Sequence, residues 1–251
     1  MKSITNIKYS DFEECTLDLY LPEHNNFPVF VYFHGGGLES CDKNDFTDTL
    51  CKPLVERGIA VANVNYRMYP KAKYPEFIDD TAAASVWVHE HIMEYGNCTK
   101  IFVGGSSAGG YLTQMIFFDK TYLEKYGCTP NDFDGFIFDA GQPTTHFNVL
   151  RERGVDTRRV IIDEAAPIYH IKECSGNHPE ILIIYSEHDM PNRPEQTRLM
   201  YNTMKIFGYK EEKMELKYIE GSQHCEYVFP KDGKEAEFIG MVSEYIKNKC
   251  K

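Results

Sequence analysis

The pentapeptide Gly105-Ser106-Ser107-Ala108-Gly109 constrains this chain more than any other stretch. It directly follows the apolar run Ile101–Val103 and opens the helical pattern Ala108–Phe118. A serine on so sharp a strand-to-helix turn is strained. The positions two residues to either side must be almost without side chain, or they strike the strand or the helix. Ser107 has glycine at both of those positions, whereas Ser106 has Gly104 and Ala108. Ser107 is therefore the expected nucleophile and Ser106 the alternative. The following helix directs its positive end at the hydroxyl.

A second glycine cluster, His34-Gly35-Gly36-Gly37, closes the run Val29–Phe33. Attack on an acyl group puts negative charge on oxygen. Preorganised backbone N–H donors stabilise that charge, each by about 3 kcal/mol in the transition state. Gly36, Gly37 and Ala108 are the expected donors. A serine also needs a base, and the base needs an orienting acid. The run Ile181–Tyr185 leads into Ser186-Glu187-His188-Asp189, and Met214–Ile219 leads into Glu220-Gly221-Ser222-Gln223-His224. Asp189 is the expected acid, with Glu187 and His188 as neighbours that compete for the role, and His224 is the expected base. His24, His89, His91, His146, His170 and His178 have no comparable place after a strand. The order Ser107, Asp189, His224 is that of neither chymotrypsin-like nor subtilisin-like enzymes.

Short apolar runs alternate with helical patterns along the whole chain. Thr16–Leu21, Val29–Phe33, Ile59–Val64, Ile101–Val103, Phe136–Phe138, Ile181–Tyr185 and Met214–Ile219 read as strands. Phe77–Glu94, Ala108–Phe118, Pro194–Phe207 and Glu235–Lys249 read as helices. Alternation of this kind predicts an α/β fold: a mostly parallel sheet, helices on both faces, and chemistry at the carboxyl ends of the strands. At 251 residues the chain suits one such domain, 1–251. Gly141–Pro167 has no evident place in the sheet and is expected to be either a small cap or a crossover.

These motifs resemble the α/β-hydrolase superfamily, and within it the hormone-sensitive-lipase-like esterases and the BD-FAE-type carbohydrate and feruloyl esterases. Asn65-Tyr66-Arg67 resembles the (D/N)-Y-R segment of those families. Tyr74-Pro75 and Asp79-Asp80, ahead of Trp87, resemble the stretch that follows it. The likeness runs from about residue 15 to residue 248. It implies a serine carboxylesterase with Ser107, Asp189 and His224 as its triad. It also implies a short acyl group, acetyl above all, on sugars or oligosaccharides, and neither a metal nor an organic cofactor. Arylformamidases are similar in the same Gly-Ser-Ser-Ala-Gly and His-Gly-Gly motifs, so formamide hydrolysis is an alternative. A hydrolase-fold binding protein without activity is a third reading, and the full set of reactive residues counts against it. Three departures bear on the pocket. The N-terminal segment is short, Leu38 stands where an aromatic residue is frequent, and Asp163-Glu164-Ala165-Ala166 precedes Pro167 where relatives tend to have Ser-Pro.

Charge and cysteine usage narrow the setting. With 27 Lys+Arg against 38 Asp+Glu, the net charge of −11 repels nucleic acid and anionic membranes. The basic cluster Arg151, Arg153, Arg158 and Arg159 is interrupted by Glu152 and Asp156 and reads as a solvated face. No apolar leader and no membrane-length apolar run is visible, and the eight cysteines show neither CxxC pairs nor metal spacing. Reduced thiols in a cytoplasmic protein are expected. The partner implied is a small-molecule ester; oligomeric state is not encoded legibly.

Overall fold

The computed structural model describes all 251 residues. Eight strands form one sheet: β1 (Lys2–Lys8), β2 (Thr16–Leu21), β3 (Asn26–Phe33), β4 (Ala60–Val64), β5 (Asn97–Ser106), β6 (Gly135–Asp139), β7 (Glu180–His188) and β8 (Met214–Gln223). Their order is β1-β2-β4-β3-β5-β6-β7-β8. β1 pairs antiparallel with β2 and β2 antiparallel with β4, and every pairing from β4 to β8 is parallel.

The helices are α1 (Lys52–Glu56), α2 (Glu76–His91), α3 (Ala108–Phe118), α4 (Thr121–Glu124), α5 (Phe147–Glu152), α6 (Arg193–Ile206) and α7 (Glu237–Lys249). Strand side chains alternate between the two sheet faces, as a period of two requires. Val29, Val31 and Phe33 join the larger core with residues of α2, α3 and α6. Phe30 and Tyr32 join the smaller core with residues of α1 and α7. Both faces of the sheet are thus covered, and the central strands have to be apolar throughout.

The seven expected strands are all present, and most run past their apolar stretch. β5 continues through Gly104, Gly105 and Ser106 because its parallel partners β3 and β6 go on hydrogen-bonding to the backbone, whatever the side chains. β1 was not expected from sequence: it is an edge strand whose residues are exposed or half-buried, so no apolar alternation announces it. The segment Lys43–Glu56 forms short 3-10 and π turns leading into α1. It is anchored by a buried ion pair, Lys43 Nζ to Asp18 Oδ1 at 2.8 Å, in which each side chain is 2% exposed.

Gly141–Pro167 contributes no strand. It holds α5 and a loop that returns to a 3-10 turn at Pro167–His170. The Tyr111 hydroxyl donates to the Ala165 carbonyl at 2.9 Å, fastening the returning loop to α3.

Candidate active site

Sterics build the turn between β5 and α3. Ser107 has φ +56° and ψ −110°, a left-handed conformation that costs a non-glycine residue on the order of 1–3 kcal/mol. The surroundings hold it there. Its N–H donates to the Asp139 carbonyl at 2.8 Å, and its own carbonyl accepts the Tyr111 N–H at 2.9 Å. A side chain at Gly109 would put Cβ 1.9 Å from the Phe33 carbonyl oxygen, and one at Gly105 would put it 2.4 Å from the same atom. Both glycines are therefore required by close backbone approach to β3.

The structure brings Ser107, His224 and Asp189 into one hydrogen-bonded chain. Ser107 Oγ lies 2.8 Å from His224 Nε2, and His224 Nδ1 lies 2.5 Å from Asp189 Oδ1. The Asp189 side chain is fully buried, whereas that of His224 is 24% exposed and so open to the solvent side. Asp189 is further held by the Met190 N–H, which donates to Oδ1 at 2.6 Å, and by Ser186 Oγ, which donates to Oδ2 at 3.4 Å. The competing residues point elsewhere. Glu187 accepts the Gly221 N–H at 2.8 Å, which braces the loop carrying His224, and His188 is exposed. Ser106 is buried, with no hydrogen-bond partner on its hydroxyl.

The loop His34–Gly37 packs directly on the serine turn. A Cβ at Gly35 would lie 3.2 Å from the Ser106 carbonyl oxygen and 3.4 Å from Ser107 Cβ. Gly36 and Gly37 have φ +96° and +65°, the region that favours glycine. Their N–H groups donate to no protein carbonyl, and Ala108 N–H is at the first position of α3, where no intrahelical acceptor exists.

Three sets of contacts fix this loop. The Tyr66 hydroxyl donates to the His34 carbonyl at 2.9 Å, with the two rings stacked at 4.6 Å. The Lys43 N–H donates to Asn65 Oδ1 at 2.7 Å. From the other side, the Asn148 amide donates to the Gly37 carbonyl and Arg151 pairs with Glu39. Arg67 clasps Asp80 with Nε to Oδ2 at 2.8 Å and Nη2 to Oδ1 at 2.7 Å, so the Asn65-Tyr66-Arg67 segment is scaffold for the glycine loop.

Several site residues carry no sequence motif. Asn148 on α5 is one. Arg193, at the start of α6, is buried and donates to the Ala140 carbonyl at 2.6 Å and to Gln142 Oε1 at 3.1 Å. It ties the acid-bearing loop to the segment leading into α5. Asp139, the last residue of β6, is fully buried. Burial pushes its carboxyl up to about 7, against the opposing effect of the nearby Ser106 hydroxyl and of the hydrogen bond from Tyr227. Local sequence could not reveal these residues, because each acts on a segment distant in the chain.

No group of three or more His, Cys, Asp or Glu is placed to hold a metal ion. No helix is long and apolar enough to cross a membrane. A surface pocket of about 330 Å³ lies beside the His224 loop, lined by Gly221, Ser222, Tyr227 and Phe229 among others, and excludes Ser107.

Comparison with known proteins gives three likenesses beside a family match. The BD-FAE family model matches residues 17–132. Esterase LipI of Mycobacterium tuberculosis is 38% identical over 96 residues, covering 38% of this chain and 30% of LipI. The chain thus spans under a third of that relative's length. Kynurenine formamidase of Danio rerio is 24% identical over 215 residues, covering 83% of this chain and 71% of that enzyme. Among solved structures, a truncated carbohydrate esterase from gut microbiota superposes with a TM-score of 0.76 at 19% identity, over 100% of this chain and 96% of the other. Sheet order, serine turn and the superposition on esterase structures together give the chain the α/β-hydrolase fold.

Proposed function

We propose that the protein is a serine carboxylesterase that cleaves short-chain acyl esters, acetyl above all, through an acyl-enzyme. The observation that carries this reading is the unbroken chain Asp189–His224–Ser107 set beside the free N–H groups of Gly36 and Gly37. As Ser107 Oγ attacks the ester carbonyl, His224 Nε2 takes its proton. Asp189 holds the imidazole with Nδ1–H inward and stabilises the imidazolium. Gly36, Gly37 and Ala108 donate to the oxyanion. Collapse of the tetrahedral intermediate breaks the bond to the alcohol, which leaves with the proton from His224. Water, deprotonated by His224, then releases the acid and restores Ser107.

The alcohol is proposed to be a sugar or oligosaccharide hydroxyl. The BD-FAE match and the likeness to a carbohydrate esterase support this. The short acyl group is supported by the small segment 141–167 and by the Phe147 ring, which would touch a side chain at Gly37 at 3.3 Å. We treat 1–251 as one domain, with 141–167 as its cap. Eight unpaired cysteines suit a reducing compartment, and the cytoplasm is the proposed site of action.

The test is a p-nitrophenyl ester chain-length series on the protein and its Ser107→Ala variant, followed by acetyl release from acetylated oligosaccharides. Turnover should peak at acetyl or propionyl and vanish in the variant; equal rates in both proteins would refute the proposal. A second reading, formamide hydrolysis on the same residues, is favoured by the long alignment with kynurenine formamidase. A kcat/KM for N-formylkynurenine above that for the best acetyl ester would establish it instead.

A further inference from the structure

One buried guanidinium lies where the segments that support the serine, the acid and the glycine loop meet. Arg193 opens α6 with only 4% of its surface exposed. Its head group donates to two oxygens and a sulfur, none of them charged: the Ala140 carbonyl at 2.6 Å, Gln142 Oε1 at 3.1 Å and Met190 Sδ at 3.7 Å. A charge withdrawn from water with no opposite charge in contact is costly to keep. A methionine or leucine would fill the same space without that cost. What an apolar residue could not supply is a planar fork of donors that reaches several acceptors at once.

Each of these contacts leads to a different part of the proposed machinery. Ala140 has φ +47°, a strained conformation for a residue with a side chain, and it directly follows Asp139, whose carbonyl holds the Ser107 N–H at 2.8 Å. The Nη1 bond therefore steadies the peptide next to the one that supports the serine turn. Met190 is gripped twice, at its sulfur by Nη2 and at its carbonyl by the Arg193 backbone N–H at 2.9 Å. Its own N–H donates to Asp189 Oδ1 at 2.6 Å, the same oxygen that meets His224 Nδ1. Gln142 Oε1 accepts the Phe147 N–H at 3.3 Å as well as the guanidinium, and Gln142 Nε2 donates to the Thr145 carbonyl at 2.9 Å. Those bonds set the start of α5, and the next residue, Asn148, holds the Gly37 carbonyl.

We propose that Arg193 is a positioning residue that fixes the acid and the oxyanion donors relative to the nucleophile by gripping all three supporting segments at once. It makes no hydrogen bond to Ser107, His224 or Asp189 itself. Its effect travels along two arms. One runs through Met190 to Asp189 and His224, and the other through Gln142 and α5 to Asn148 and Gly37. The kinetic consequence rests on the esterase reading, whereas the mechanical link from Arg193 to the Asp189–His224 bond does not. Both arms end on groups that matter most in the transition state, so loosening them should lower kcat and leave KM nearly unchanged.

Variants of the whole protein separate the arms. Arg193→Met keeps the bulk and removes the charge and the donors. Gln142→Leu cuts the arm to the glycine loop and leaves the arm to Asp189 whole. In Arg193→Met, kcat for p-nitrophenyl acetate should fall by about tenfold to hundredfold with KM within about threefold, the cost of a small misplacement of reacting groups. NMR reads the acid arm without any need for activity. Exchange of the His224 Nδ1 proton with water should quicken by about tenfold in Arg193→Met, the equivalent of one weakened hydrogen bond. In Gln142→Leu that exchange should stay at the native rate while kcat still falls. A native exchange rate in Arg193→Met overturns the proposal, whatever the protein hydrolyses. Equal quickening in Gln142→Leu marks general loosening and overturns it too, as does a loss that appears in KM with kcat unchanged. If Arg193→Met does not fold, Arg193→Lys takes its place, since an ammonium cannot span the same acceptors; a native exchange rate there overturns the proposal. Absence of any ester turnover that depends on Ser107 would instead defeat the esterase reading, and leave the proton exchange to decide this one.

Discussion

The side-chain amide of Asn148 donates to the backbone carbonyl of Gly37, joining α5 to the glycine loop across 111 residues of sequence. A carbonyl held from outside fixes the Gly37–Leu38 peptide plane and so restrains rotation at Gly37, whose own N–H lies one peptide earlier. Asn148→Ala should therefore lower kcat by about tenfold, the equivalent of one hydrogen bond of about 1–1.5 kcal/mol. KM should change little, since the oxyanion exists only in the transition state. Steady-state kinetics on acetyl esters, beside a melting curve to show the fold intact, will check this.

Asp189 touches both its own loop and the imidazole. Asp189→Asn keeps the shape, but its carboxamide can present an N–H to His224 Nδ1 and so favour the wrong tautomer. A loss on the order of 10³–10⁴-fold in kcat is expected. The rate of fluorophosphonate labelling at Ser107 should drop with it. Labelling at the native rate would remove Asp189 from the proposed triad and bring Glu187 back into question.

The buried carboxyl of Asp139 makes a prediction about stability as well. Its value in the folded protein, about 7, is above its ordinary 3.8. Between those values the folded chain holds a proton that the unfolded chain has lost. The sign is that of a raised acid: its contribution is complete below about pH 4 and disappears as pH rises through 7. Asp139→Asn should therefore gain stability relative to the native protein over that interval, by up to about 4 kcal/mol for a group wholly out of water. Urea unfolding of both proteins at pH 4.5 and pH 8 will show whether the difference grows with pH.

Lys43 and Asp18 anchor the far end of the glycine loop from the buried side of β2. Asp18 Oδ1 also accepts the Asn6 N–H at 2.7 Å, and Lys43 Nζ donates to Asn6 Oδ1 at 3.1 Å. Lys43→Met alone leaves a buried carboxylate without its cation and should cost about 3–5 kcal/mol. Adding Asp18→Asn should recover a large part of that loss. A double-mutant cycle by denaturant melts gives the coupling, and additive losses would show that the pair does not act as a unit.

What was legible in the sequence followed local physics. The serine turn could be seen because steric exclusion acts two residues to either side, at Gly105 and Gly109. Asp189 and His224 could be placed because parallel strands end together on one edge of the sheet. β1 was invisible, since a strand at the rim keeps its residues in water and needs no alternation. Asn148, Arg193 and Asp139 were invisible for a different reason. Each binds a backbone carbonyl or a side chain that is adjacent only after the sheet has closed, and the choice of Asn, Arg or Asp at such a position leaves no periodicity behind. The extra length of β5 was hidden likewise, since its last residues are strand by virtue of β3 and β6.

The position of His224 beyond β8, the outermost strand of the sheet, has a consequence for when the proposed triad can be assembled during synthesis. A ribosome delivers the chain from its N-terminus. The serine turn, the glycine loop and even Asp189 are made before His224. Until β8 adds to the open edge of β7, Ser107 has no imidazole within hydrogen-bond reach. The proposed triad is therefore completed only when this last strand joins the sheet.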